Sequence, residues 1–136
     1  MARHFPINGV TPARLRVLLA SDTPLKSRLF AESLQALPFI ESLVAVNTTK
    51  QALSQFFASP PHVVLVSIGL AGGGGFEVLR CIKQADSCAP VVLVSRVASA
   101  FVEYTAKLLG ATAHYCEKDD FARLVEILQR IWKPCC

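Results

Sequence analysis

Short apolar runs alternate along the chain with stretches whose apolar residues recur every three or four positions. The runs are Leu15–Ala20 (LRVLLA), Leu43–Val46, His62–Ser67 (HVVLVS), Pro90–Ser95 (PVVLVS) and Thr112–Cys116, and each predicts a strand. Pro24–Leu37 predicts a helix, with Leu25, Leu29, Phe30, Leu34 and Leu37 at helical spacing and Pro24 in its first turn. Lys50–Phe57 predicts a second helix, after the cap-type residues Asn47, Thr48 and Thr49. A glycine-rich turn leads into a third helix, Phe76–Lys83. Ala98–Leu109 predicts a fourth, closed by Gly110. Asp120–Trp132 predicts the last, with Asp120 as its cap and Phe121, Leu124, Ile127, Leu128 and Ile131 on its apolar face, and Pro134 ends it.

Strict alternation of strands and helices implies a parallel sheet with right-handed crossovers. The strands read as continuous apolar runs, as expected when helices cover both faces. Five such units predict an α/β, doubly wound, flavodoxin-like fold with strand order 2-1-3-4-5. Residues 14–133 form the expected domain, after a leader of residues 1–13 and before a tail of residues 134–136. Ligands of such folds sit beyond the carboxyl ends of the strands. That directs attention to Ser21 and Asp22, to the turn from Ser67 to Gly69, to Ser95 and Arg96, and to the end of the fifth strand.

Composition narrows this little. Of 136 residues, 52% are hydrophobic and 18% charged, which favours a packed core over disorder. No apolar run approaches a membrane span, and the first residues lack a signal peptide's apolar region, so a cytoplasmic location is expected. The net charge of +4 is small and scattered, too weak to argue for DNA binding by this domain. Five cysteines without a C-x-x-C, and three dispersed histidines, argue against a disulfide framework and a zinc site. Cys81 and Cys116 are expected in the core, and Cys135–Cys136 in a frayed tail. The run Gly72–Gly75 lacks both the P-loop's Gly-Lys-Ser/Thr and the dinucleotide-binding register, so it reads as a turn, expected to be mobile. No cofactor is expected.

Four segments then carry a resemblance. RVLLASDTPLKSRLF, PHVVLVSIGLAGGGGFEVLRCIK, APVVLVS and LLGATAHYCEKDD resemble, in order and spacing, the response-regulator receiver domains of the CheY-like superfamily, and among them the NarL type. The resemblance implies a site made of an acidic pair after strand one, a phosphoacceptor aspartate ending strand three, a Ser or Thr ending strand four and a lysine ending strand five. The carboxylates would hold magnesium, and the lysine and hydroxyl would bind the phosphoryl group.

This chain departs from that pattern. The acidic pair is Ser21-Asp22, the phosphoacceptor position is Ser67, and Gly74 replaces the aspartate of the following turn. Ser95 keeps the switch hydroxyl, but Arg96 follows it. Without gaps the lysine position falls on Glu117; a one-residue insertion would instead bring up Lys118 and move the aromatic switch position from His114 to Tyr115. Arg96 and Glu117 are expected close together, either as an ion pair or both facing solvent. One carboxylate is too few for magnesium, so no metal is expected, and a serine without a base is a poor nucleophile.

The resulting expectation is a pseudo-receiver, not an enzyme: a phosphorylation-independent module acting through a protein partner or a homodimer. Phe121 and Trp132 mark either a dimer face or core cover. DNA would be reached only through an output domain absent from this sequence. A divergent regulator phosphorylated elsewhere, for example at Asp22, and a flavodoxin-like nucleotide or cofactor binder are the alternatives.

Overall fold

The computed structural model describes residues 12–133 apart from 23, 71, 73, 97 and 98, with the backbone alone at 24–27. The predicted mobility of the glycine-rich turn lies partly outside these residues, and the frayed Cys135–Cys136 tail wholly so. Strands β1 (Leu15–Ala20), β2 (Ile40–Val46), β3 (Val63–Ser67), β4 (Val91–Ser95) and β5 (Ala113–Cys116) alternate with helices α1 (Pro24–Gln35), α2 (Thr49–Ala58), α3 (Gly74–Ala85), α4 (Ala100–Leu108) and α5 (Phe121–Trp132). The sheet is parallel throughout, in the order β2-β1-β3-β4-β5.

Alternation along the inner strands divides their side chains between two cores. Val17, Leu19, Val63, Leu65, Val92 and Val94 face α1 and α5, with Leu34, Leu124 and Leu128. Leu18, Ala20, Val64, Val66, Val91 and Leu93 face α2, α3 and α4, with Phe56, Leu79 and Ile82. A fully buried leucine-sized side chain contributes roughly 1.5–3 kcal/mol. The continuous runs of β1, β3 and β4 therefore supply both cores at once.

Edge strand β2 departs from the expected uniform burial. It begins at Ile40, earlier than predicted, and Val44 and Ala45 are exposed because, among the described residues, no strand lies beyond it. The expected cap Asp120 occupies the N-cap position of α5 but makes no side-chain capping bond. Thr48 does cap α2, accepting from the Gln51 amide at 3.1 Å, while the Gln51 side chain accepts from the Asn47 amide.

The apolar residues of α5 are core cover. Leu124 and Leu128 are fully buried, and Phe121 and Trp132 pack against the same core. Trp132 stacks on Phe39 at 5.1 Å between centroids and donates from Nε1 to the Pro12 carbonyl at 2.8 Å. The exposed apolar stripe lies on α4, where Phe101, Tyr104 and Leu108 are each about two-thirds exposed at i, i+3 and i+7. Cys116 is buried as expected; Cys81 is only half-buried, on α3, where its thiol meets the Glu77 carboxylate.

Candidate functional site

Backbone bonds extend the ladder past the strand ends. The Ser21 amide donates to Val46, Ile68 to Val94, and Glu117 to Ser95, at 3.0, 3.0 and 2.8 Å. These bonds bring Ser21, Ser67 and Glu117 to one level at the carboxyl edge of the sheet. A tight turn follows β3, with the Leu70 amide donating to the Ser67 carbonyl and Gly75 to Ile68. Gly72 and Gly74 hold positive φ there, and a Cβ on Gly75 would overlap the Ser67 carbonyl. The glycine run thus includes the first turn of α3, packed directly on the end of β3.

Side-chain parity separates the two serines. Ser67 follows Val63 and Leu65 toward α1 and α5; Ser95 follows Val91 and Leu93 toward α4. On the α1/α5 side a cleft of about 400 Å³ opens beside Ser67. Its polar lining includes Ser21, Ser33, Ser67, Glu117 and Asp119. Leu19, Phe30, Val94, Tyr115 and Phe121 form apolar walls. Asp22, Gly69, Arg96 and Lys118 do not line it. Asp22 instead lies over the turn after β3: a Cβ on Gly69 would sit 3.1 Å from its Oδ2. Among the described residues, no group of three or more His, Cys, Asp or Glu side chains could hold a metal ion.

On the α4 side, Ser95 Oγ and His114 Nε2 are 2.7 Å apart. Of the two aromatic candidates, it is His114 that meets Ser95. Tyr115 points to the opposite core, where its hydroxyl donates to the Asp119 carbonyl at 3.0 Å. Glu117 lines the cleft, and Lys118 does not. Arg96 and Glu117 flank the same β4–β5 rung, and the Cys116 thiol donates to the Arg96 carbonyl.

Burial pushes the His114 imidazole below its ordinary range; Arg123 acts in the same direction, against Glu103 and Asp119. Burial likewise raises the Tyr115 phenol, helped by Asp119. A second groove, of about 310 Å³, runs over β5 between α4 and α5, with Glu103, Lys107, His114 and Arg123 on its walls. Attention to strand ends alone missed Phe30 and Ser33, which α1 contributes to the first cleft. Their three-residue spacing on one helical stripe was the available signal.

The fold is that of response-regulator receiver domains. No protein-family model matches the chain. A LuxR-family two-component response regulator from Aurantimonas sp. SI85-9A1 superposes with a TM-score of 0.82 at 23% identity, over 88% of this chain and 85% of that one. A LuxR-family DNA-binding response regulator from Staphylococcus aureus gives 0.81 at 18% identity, over 88% and 99%. The Vibrio cholerae chemotaxis protein CheY4 gives 0.78 at 18%, also over 88% and 99%. By sequence, the chain is 28% identical over 95 residues to a protein-glutamate methylesterase/protein-glutamine glutaminase from Desulfotalea psychrophila. That match takes in 70% of this chain and spans about a quarter of the relative's length, 26%.

Proposed function

We propose that this chain is a receiver-like signalling module that works without aspartyl phosphorylation, through contact with a protein partner or a second copy of itself. The observation that carries the reading is the end of β3: it is Ser67, in a cleft whose charged lining, among the described residues, is Glu117 and Asp119. A serine hydroxyl without an activating base is a weak nucleophile. A carboxylate where the resemblance implies a lysine repels an incoming phosphoryl group.

The α4 stripe of Phe101, Tyr104 and Leu108 supports protein contact, because contiguous exposed apolar surface is characteristic of interaction sites. The apolar residues of α5, buried in the core, no longer motivate a dimer through that helix. Without a phosphoryl group to bias two states, the surface holds one state. Regulators with this fold include a DNA-binding one, and the curated relative is a methylesterase. Any DNA contact by this protein would therefore come from a separate output domain. A cytoplasmic location accords with this role, and no described helix is long and apolar enough to cross a membrane.

The test is incubation with acetyl phosphate and magnesium, followed by intact-mass measurement. The expected result is an unmodified chain. A stoichiometric phosphoryl adduct would overturn the reading. Sedimentation of the protein and of Tyr104→Lys then reports whether the α4 stripe mediates self-association.

A further inference from the structure

We propose that the groove over β5, between α4 and α5, binds a small zwitterion: a short apolar chain with an ammonium at one end and a carboxylate at the other. Its volume of about 310 Å³ stands at the lower end of the range of small-molecule pockets, roughly 300–1,000 Å³. The groove is open because its floor is built from small side chains. Ala106, Ala111 and Ala113 line it, and methylene groups can lie against them out of water.

The walls are polarised along the strand. α4 contributes Glu103 and Lys107, one turn apart and so about 6 Å along the helix axis. The opposite wall carries Asp119, just before α5, and Arg123 in its first turn. Both helices run against the direction of β5, as the connections of a parallel sheet require. The two carboxylates therefore lie toward the carboxyl end of β5 and the two cations toward its amino end. Arg123 Nη1 donates to the His114 carbonyl at 3.2 Å, which holds the guanidinium over the strand, within reach of a carboxylate lying there. Glu103 and Asp119 favour the protonated form of the His114 imidazole and Arg123 opposes it, so all three groups reach the same stretch of groove. The ion pairs among the described residues, Arg28–Glu32, Arg80–Glu77 and Arg130–Glu126, use none of the four wall charges.

This arrangement selects for charge pattern rather than net charge. A lone cation is attracted at one end of the groove and repelled at the other, and a lone anion fares no better. A chain with both charges, set about one helical turn apart, gains at both ends. 5-Aminopentanoate has that reach.

The test uses three probes with one chain and different charge: 5-aminopentanoate, pentylamine and pentanoate. Each is titrated into ¹⁵N-labelled protein, into the millimolar range. 5-Aminopentanoate is expected to bind most tightly, with amide shifts centred on Glu103, His114 and Arg123. Glu103→Gln and Lys107→Gln, both at exposed positions of α4, should each weaken it by roughly two- to fivefold, as for exposed charge pairs. The exchange Glu103→Lys with Lys107→Glu keeps the charges of the groove but sets its two walls against each other, and should weaken binding more than either single variant. No saturable binding of 5-aminopentanoate, equal binding of pentylamine or pentanoate, shifts centred elsewhere, or unchanged affinity in the exchanged variant would overturn the site.

Discussion

Ser95 Oγ and His114 Nε2 lie 2.7 Å apart across neighbouring strands, on the α4 side of the sheet. Ser95 is buried, and the ring of His114 is partly so. The switch hydroxyl implied by the receiver resemblance is therefore tied to a titratable ring one strand away, next to the helix that carries the exposed apolar stripe.

The burial of His114 predicts a pH dependence of stability. Burial holds the folded-state pKa of His114 below its ordinary value, so in the window between the two the unfolded chain binds more protons. The stabilisation is complete above the unfolded pKa and is lost as pH falls through the folded one. The urea midpoint should drop between about pH 7.5 and about pH 5, and the drop should be smaller in His114→Gln. An equal drop in the variant would assign the effect to other groups.

Magnesium at millimolar concentration should leave the amide shifts of Asp22, Ser67 and Ser95 unchanged. The carboxylates at this edge are dispersed: Asp22 lies over Gly69, while Glu117 and Asp119 line the cleft. Saturable shifts at those amides would show that they converge on an ion.

Ser67→Asp alone should not accept a phosphoryl group, because Ser21 leaves the metal set short and Glu117 opposes the incoming charge. Ser21→Asp, Ser67→Asp and Glu117→Lys together should accept it more readily than the single variant. Intact mass after acetyl phosphate treatment distinguishes the two. Ready uptake by Ser67→Asp alone would show that the other two positions do not limit the chemistry.

Gly75→Ala should destabilise the fold by about 1–3 kcal/mol, the usual cost of forcing atoms into packed space. Its Cβ would meet backbone, the Ser67 carbonyl, which has no rotamer with which to escape. Leu128→Ala should cost about 2–5 kcal/mol as a core truncation and leave any self-association unchanged. Chemical denaturation measures both.

The sheet order was legible because apolar runs and helical periods alternate without exception from Leu15 to Trp132. Strand edges were less so: the start of β2 at Ile40 mixes Glu41 and Ser42 into a strand whose outward residues face solvent, which blurs the apolar signal. The site positions were legible as places but not as partners. Ser67 and Ser95 end similar VVLVS runs, yet their different offsets in the sheet send them to opposite cores. Only strand register separates His114 from Tyr115, and register depends on pairing between distant segments. The apolar face of α5 could not by itself say whether it covered the core or a partner.

The bond from Trp132 to the carbonyl of Pro12 brings the first described residue against the last helix. Two points of a chain that meet in this way can be spliced. With residues 1–11 and 134–136 removed, a short linker from Lys133 to Pro12 and new termini opened at an exposed turn such as that after α3 should give a circular permutant that folds. Because the chain's only tryptophan sits at this junction, its emission would report directly on whether the splice has closed.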